Sequence, residues 1–312
     1  MARCARCLWS TAVALGVIVT VGCYVPRAVA SLEGGQPNFH LPTLGGLQLW
    51  ADVAWADGWR VQRHVWTRHH RLLDPSNVRR AWGDESHCTS LLEFFAARRS
   101  PAPELVILVH GLGRTRYSLR AMREALEEQG HRVVSLSYPS TRASLDEHAA
   151  GLGQLLDGLH DVDRVSFVTH SLGGRVVLRL LDRGGEWMSR IELGGVVQIA
   201  PPNRGSRLAA RALDIPMLGW VFGPSLHEVA LPGSRAPEGS SIGVLAGVRG
   251  TPRGWNSLLR GDDDGVVALS ETRLDGPHEH KTVRGMHTFL MNDPGVLDAT
   301  AHFLAAGTFG PE

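Results

Sequence analysis

The sequence predicts an α/β protein built on a doubly wound, mostly parallel sheet with a short cap segment. Three observations carry that prediction. Continuous apolar runs such as "ELVILVHG" and "LGGVVQIAPP" have the character of strands buried on both faces. Segments of helical spacing separate them, as in "SLRAMREALEEQG" with its stop at Gly130. A chain of 312 residues with 43% hydrophobic composition can also bury a sizeable core. Its 36 glycines suit the many tight strand-to-helix turns of such a fold.

Residues 1–30 differ in kind from the rest. "MARCARC" carries Arg3 and Arg6 without an acid, and "LWSTAVALGVIVTVGCYV" then runs 18 residues without a charge. Small residues at Ala28 and Ala30 stand where a signal peptidase reads. This segment is expected to be an export signal or an uncleaved N-terminal membrane anchor, which places the body outside the cytoplasm or on the membrane. Lipidation at Cys23 in "TVGC" is a third option, which Thr20 fits poorly. Cys4 and Cys7 have redox or zinc spacing but precede the apolar run rather than a βαβ unit, so they are read as leader residues. Only Cys88 lies in the body, which excludes an intramolecular disulfide there.

Residues 31–100 are read as an N-terminal extension with leading strands. "RVQRHVWTRHHRLL" has period-two character, as a strand or hairpin. Trp50, Trp55, Trp59, Trp66 and Trp82 are expected to be mostly core. Residues 101–312 then form the main domain. "ELVILVHG" is its first strand and "HRVVSLSYPS" its second, followed by the helix "SLDEHAAGLGQLLDGLH". The strand "DRVSFVTH", the helix "SLGGRVVLRLLDRG" and the strands "LGGVVQIAPP" and "SIGVLAGVRG" come next. "HKTVRG" is strand-like, and "GVLDATAHFLAAG" closes the chain as a helix. Between two of these strands, residues of about 205–237 read as a short cap or a surface helix. Ile215, Met217, Leu218, Trp220, Val221 and Phe222 are expected to line a compact apolar pocket there. A formal charge of +1 with scattered Lys and Arg excludes a nucleic-acid footprint, and no repeat or low-complexity tract is present.

In a doubly wound sheet chemistry sits beyond the C-terminal strand ends. Ser171 stands there, between the strand "VSFV" and a helix, with Gly173 and Gly174 permitting a close turn. A nucleophilic serine needs a base and oxyanion donors, whereas a helix cap needs neither. Donors are available in "HGLG" after an earlier strand, where the amides of Leu112 and Leu172 would form a two-donor hole. The plainer alternative is a glycine turn with a hydrogen-bonded His110. "GDDDGVVAL" supplies an acid, and Asp264 before Gly265 is the best-placed orienting carboxylate. Asp262 and Asp263 are expected to be solvated loop charges or cation ligands. Of the downstream histidines, His302 falls within the last helix and is expected against the sheet. His278 and His280 lack a third metal ligand at sensible spacing and read as a polar strand entry. His287 precedes the last helix on a loop from which a base can reach Ser171.

Ser171, Asp264 and His287 in that order, with "HGLG" ahead, resemble the α/β-hydrolase fold, and more narrowly bacterial triacylglycerol lipases and related esterases. The resemblance spans roughly residues 104–306. It implies Ser171 as nucleophile, Asp264 as orienter, His287 as base and the Leu112 and Leu172 amides as oxyanion donors. It implies an acyl ester or lipid substrate, no cofactor and no metal. Two departures stand out. Thr169 replaces the usual glycine two residues before the nucleophile, and Asp263 stands where relatives often have Asn. Lipase, esterase, thioesterase and acyltransferase remain open at this stage, as does the oligomeric state. A non-catalytic acyl-ligand or partner binder of the cell envelope is the alternative from another class, with a metallohydrolase third.

Overall fold

The computed structural model describes residues 30–33, 36–96, 104–233 and 235–310. The expectations for the leader, including Cys4, Cys7 and Cys23, lie outside the described residues, apart from Ala30. No helix among the described residues is long and apolar enough to cross a membrane.

The chain opens with an antiparallel pair, β1 (Ala30–Glu33) and β2 (Gln36–Phe39). A four-stranded antiparallel meander follows: β3 (Trp50–Ala56), β4 (Trp59–His64), β5 (His70–Leu73) and β6 (Arg79–Gly83). The period-two stretch at 60–73 is thus a hairpin, with Arg60 paired to Leu73 and Arg63 to His70. Helix α1 (Glu85–Ala96) packs Cys88 and Leu92 onto Val61, Leu72 and Ala81 of one face. The other face is polar yet buried. Asp52 there accepts from Arg60 (2.7 Å) and Gln62 (2.8 Å), and Gln62 accepts from Arg71 (2.8 Å). The tryptophans correct the core expectation. Of these five, Trp55 alone is buried, Trp66 is 67% exposed, and Trp50, Trp59 and Trp82 are half-buried. They flank an edge sheet whose interior is polar, so their rings sit at its margins.

The second sheet is the centre of the molecule. Its strands are β7 (Glu104–Val109), β8 (Arg132–Ser135), β9 (Arg164–His170), β10 (Glu192–Ile199), β11 (Ile242–Val248) and β12 (Glu279–Arg284). All pair in parallel, in the order β12-β11-β10-β9-β7-β8. Five of the six residues of β7 and all seven of β11 are buried, which is why these strands read as unbroken apolar runs. β8 is shorter than "HRVVSLSYPS" suggests. Ser137 beyond it turns aside to receive β3, where the Asp52 N–H donates to the Ser137 carbonyl (2.9 Å). That contact ties the meander to the edge of the central sheet.

Helices cover both faces. α2 (Arg120–Glu128) and α8 (Pro294–Ala306) bury Met122, Leu126, Val296 and Phe303 on one side. α3 (Leu145–Asp157) and α4 (Leu172–Arg183) bury Leu152, Leu156, Val177 and Leu180 on the other. Three seven-residue helices, α5 (Arg207–Leu213), α6 (Pro216–Phe222) and α7 (Pro224–Ala230), form the segment between β10 and β11. From β7 the chain passes to β8 on one side and then to β9 on the other. The winding therefore reverses at β7 and β9, and a crevice opens beyond their C-terminal ends.

Candidate active site

Two turns meet in that crevice: Gly111–Arg114 after β7 and Ser171 after β9. Ser171 has φ 53° and ψ −119°, a conformation L-residues rarely adopt, and its side chain makes no capping hydrogen bond to α4. Holding a non-glycine residue there costs about 1–3 kcal/mol. A serine serving only as a cap would sit in extended backbone and bond to the first turn. The surroundings over-determine the turn. The Ser171 N–H donates to the Ile199 carbonyl (2.9 Å), and the first turn of α4 lies against the end of β7. A Cβ at Gly173 would collide with the carbonyls of Val109 and His110, so only glycine fits. Thr169, by contrast, is fully buried without conflict, since its hydroxyl donates to the Val197 carbonyl of β10 (3.2 Å). That bond explains the departure from glycine at this position.

The acid loop separates three adjacent aspartates into three roles. Asp262 accepts the amides of Arg249, Gly250 and Thr251 at 2.9–3.1 Å. Asp263, fully buried, accepts those of Trp255 and Asn256 (3.0 Å each) and Gly265 (2.7 Å). Neither is a solvated loop charge, contrary to expectation; both are the acceptors around which the loop folds. No cluster of three metal-ligating side chains occurs among the described residues. Asp264 is 1% exposed and turns the other way. Its Oδ1 accepts from Val266 (2.9 Å) and Val267 (2.7 Å), leaving Oδ2 for the Nδ1–H of His287 at 2.7 Å. That bond fixes the imidazole tautomer and leaves Nε2 as an acceptor.

His287 is held by its backbone as well. Its N–H donates to the Asp264 carbonyl (2.8 Å), and its own carbonyl accepts from His170 Nε2 (3.1 Å). His170, adjacent to Ser171, was not singled out from sequence as a support. A histidine immediately before the serine was the only signal. Of the other histidines, His302 is exposed rather than packed against the sheet, because its ring turns to the Thr308 carbonyl (2.8 Å). His278 lies at the entry to β12, and His280 within it bonds the Thr272 hydroxyl (2.9 Å).

Ser171, His287, Leu112 and Leu172 line one cavity of about 290 Å³. The Leu112 and Leu172 amides donate to no protein acceptor among the described residues. Leu208, Ala209 and Ala212 of α5 and Leu226 and Val229 of α7 form the apolar wall. Of the six residues expected to line it, only Phe222 does. α6 has no buried residue, and Ile215, Met217 and Trp220 are 51%, 68% and 78% exposed. Prolines at the starts of α6 and α7 break the segment so that α6 faces outward. The segment is pinned at both ends. Glu228 caps α3 through the Leu145 amide (2.6 Å), and Ser225 donates to the Ala143 carbonyl (2.9 Å). The buried Arg175 guanidinium donates to the carbonyls of Pro202 (3.0 Å) and Leu231 (2.9 Å).

Among the buried imidazoles are His170 at the crevice and His110 and His148 against the Tyr138 ring. Burial lowers His110 and His148 to about 4, and burial followed by the charges of His287 and Arg114 takes His170 well below its ordinary value. An unfolded chain binds these protons from about pH 6.5 downward. The folded chain resists them until about pH 4, so the unfolded state holds more protons in between. Stability is therefore fully present above about pH 6.5 and declines as pH falls through that window. Thermal melting from pH 8 to 4.5 should show Tm falling below 6.5; a flat profile would contradict this account.

No family model matches the chain, and no curated protein matches its sequence. Solved structures do resemble it. The lipase BlEst2 of Bacillus licheniformis in mature form superposes with TM-score 0.51 and 17% identity, covering 68% of this chain and 94% of that one. The product of a Listeria innocua gene, lin2722, gives TM-score 0.48 at 16% identity, covering 66% and 94%. A metagenomic carboxyl esterase, MGS0156, gives 0.47 at 20%, covering 61% and 66%. With the six parallel strands, the reversal at β7 and β9 and the strained serine turn after β9, the superposition on the Bacillus enzyme shows that this chain has the α/β-hydrolase fold.

Proposed function

We propose that the protein is a serine hydrolase that cleaves carboxylic esters through an acyl-enzyme. One observation carries the reading: Ser171 stands strained and unbonded as a cap in the cavity that also holds His287, whose Nδ1 is anchored on Asp264. In the first step His287 Nε2 takes the Ser171 hydroxyl proton as Oγ attacks the ester carbonyl. The oxyanion forms against the Leu112 and Leu172 amides, and Asp264 stabilises the imidazolium. His287 then protonates the departing alkoxide, leaving an acyl-Ser171, and water attacks that ester by the same route in reverse.

The cavity and the cap support substrates of short to medium acyl chain. A volume of about 290 Å³ is at the small end for ligand pockets, and the cap is pinned at α3 and at Arg175 rather than hinged. Rates on a series of nitrophenyl esters should peak at short to medium length and rise smoothly with concentration. A sharp jump in rate when a long-chain ester forms an interface would replace this reading with a lipase one.

The N-terminal extension also contributes to the oxyanion turn. Gln48 Nε2 donates to the Arg114 carbonyl (2.5 Å), while Oε1 accepts from Thr141 N–H (3.0 Å) and Ser140 Oγ (3.2 Å). Ser140 Oγ in turn accepts from Gly113 N–H (3.0 Å). Gln48→Glu keeps the accepting half and sets a carboxylate oxygen against the Arg114 carbonyl. Displacement of the turn by a fraction of an ångström should lower kcat about tenfold, with KM and Tm little changed. Unchanged kcat would show that the turn does not depend on this strut.

A further inference from the structure

Away from the crevice, a second cavity of about 600 Å³ opens between the β3–β4 turn, the start of α2 and strand β8. Five arginines line it, Arg60, Arg116, Arg120, Arg123 and Arg132, against two carboxylates, Asp57 and Glu127. Four of the five have a carboxylate partner, Arg60 through Asp52 beneath the cavity. Arg132 is bound to Asp161 (2.7 Å), and Arg120 and Arg123 make only loose pairs with Glu124 (3.6 Å) and Glu127 (3.8 Å) along their own helix.

The floor is the unusual part. Arg60 and Arg116 are each 8% exposed, and Arg71, also 8% exposed, lies behind them. Asp52 pairs with Arg60 at 2.7 Å, while Arg71 donates to the neutral Gln62. Arg116 Nη2 donates to Asn77 and to the Tyr117 hydroxyl, both neutral, and its Nη1 is buried with no partner. A buried guanidinium with an unused donor and no counter-charge is costly unless an anion completes it. Burial lowers the Arg60 pKa, which Asp52 opposes and the neighbouring Arg116 charge reinforces.

We propose that this cavity binds a phosphoryl-bearing anion, with Arg116 at its floor and Arg120, Arg123 and Arg132 around it. The guanidinium fork matches phosphate oxygens two at a time, Arg116 has no carboxylate of its own, and the long pairs of Arg120 and Arg123 leave their guanidinium groups able to turn to an anion. The cavity is also far larger than a single small ion, so the group belongs to a larger molecule, soluble or a lipid headgroup. Arg120 and Arg123, with side chains 73% and 45% exposed, can be changed without touching the core.

Calorimetric titration of the full chain with inorganic pyrophosphate tests the proposal, at about 0.15 M salt where attraction between exposed charges is screened beyond ~8 Å. Saturable binding is expected, weakened about tenfold by Arg120→Gln with Arg123→Gln, and lost in Arg116→Gln. Sedimentation with phosphatidylglycerol vesicles is the second arm. Vesicle binding alone, released by the same double variant, supports the site with a headgroup as its source. Binding to neither probe, or binding that the folded double variant retains in full, overturns the proposal.

Discussion

Ser171→Ala should lower kcat for a nitrophenyl ester by about 10³-fold or more, with the fold intact. The loss is chemical because Ser171 is the hydroxyl on the strained turn beside Leu112 and Leu172, whereas Ser206, which also lines the cavity, is engaged as the cap of α5. The fold survives because the Ser171 hydroxyl caps nothing, and what holds the turn is its N–H on the Ile199 carbonyl together with the close fit of Gly173. Alanine carries the same Cβ at φ 53°, so the strain is unchanged. Covalent labelling by a fluorophosphonate probe should disappear in the variant while its Tm stays near that of the parent. Wild-type-like turnover by Ser171→Ala would sink the nucleophile assignment. Absence of labelling in the folded parent would favour a non-catalytic binder.

The alternation of strands and helices over 104–307 is legible because a parallel sheet buries both faces. β7 and β11 are continuous apolar runs, and their helices fall between glycine stops. The same logic fails for residues 40–96. There Asp52, Arg60, Gln62 and Arg71 are buried by bonding one another, and a charged residue in an alternating strand reads as solvent-facing. Ser171 and His287 are nameable from motifs because each closely follows a strand end, and Asp264 because it closes an acidic run before Gly265. Their supports are not. Gln48 acts across some 66 positions of chain on Arg114, and His170 across 117 on His287; neither distance leaves a local pattern. The cap fails for a different reason. Helices α5, α6 and α7 are each seven residues long, too short for periodicity to say which of them faces inward.

Asp264→Asn should be nearly as damaging as loss of the serine, and the neighbouring substitutions should not. The geometry gives the reason. Oδ1 of Asp264 receives two backbone amides, from Val266 and Val267, which only an oxygen can accept. An asparagine at 264 must keep its oxygen there and turn its NH₂ toward His287. Nδ1 would then have to accept, the proton would move to Nε2, and the imidazole could no longer take a proton from Ser171. A fall in kcat of about 10³–10⁴-fold is expected, as for a base held in the wrong tautomer. Asp263→Asn can keep its oxygen where the three amides converge on Oδ1, but it sets an NH₂ at Oδ2 against the Asn256 N–H (3.3 Å) in a fully buried site. It should cost on the order of 1–3 kcal/mol of stability while leaving kcat per folded molecule within a few-fold. Asp262→Asn, at a half-buried position, should do the same more weakly. Measuring Tm and kcat, with active sites counted by probe titration, separates the two kinds of loss. If Asp262→Asn or Asp263→Asn carried the large fall in kcat while Asp264→Asn turned over normally, the carboxylate bonded to His287 would not be the one that orients the base.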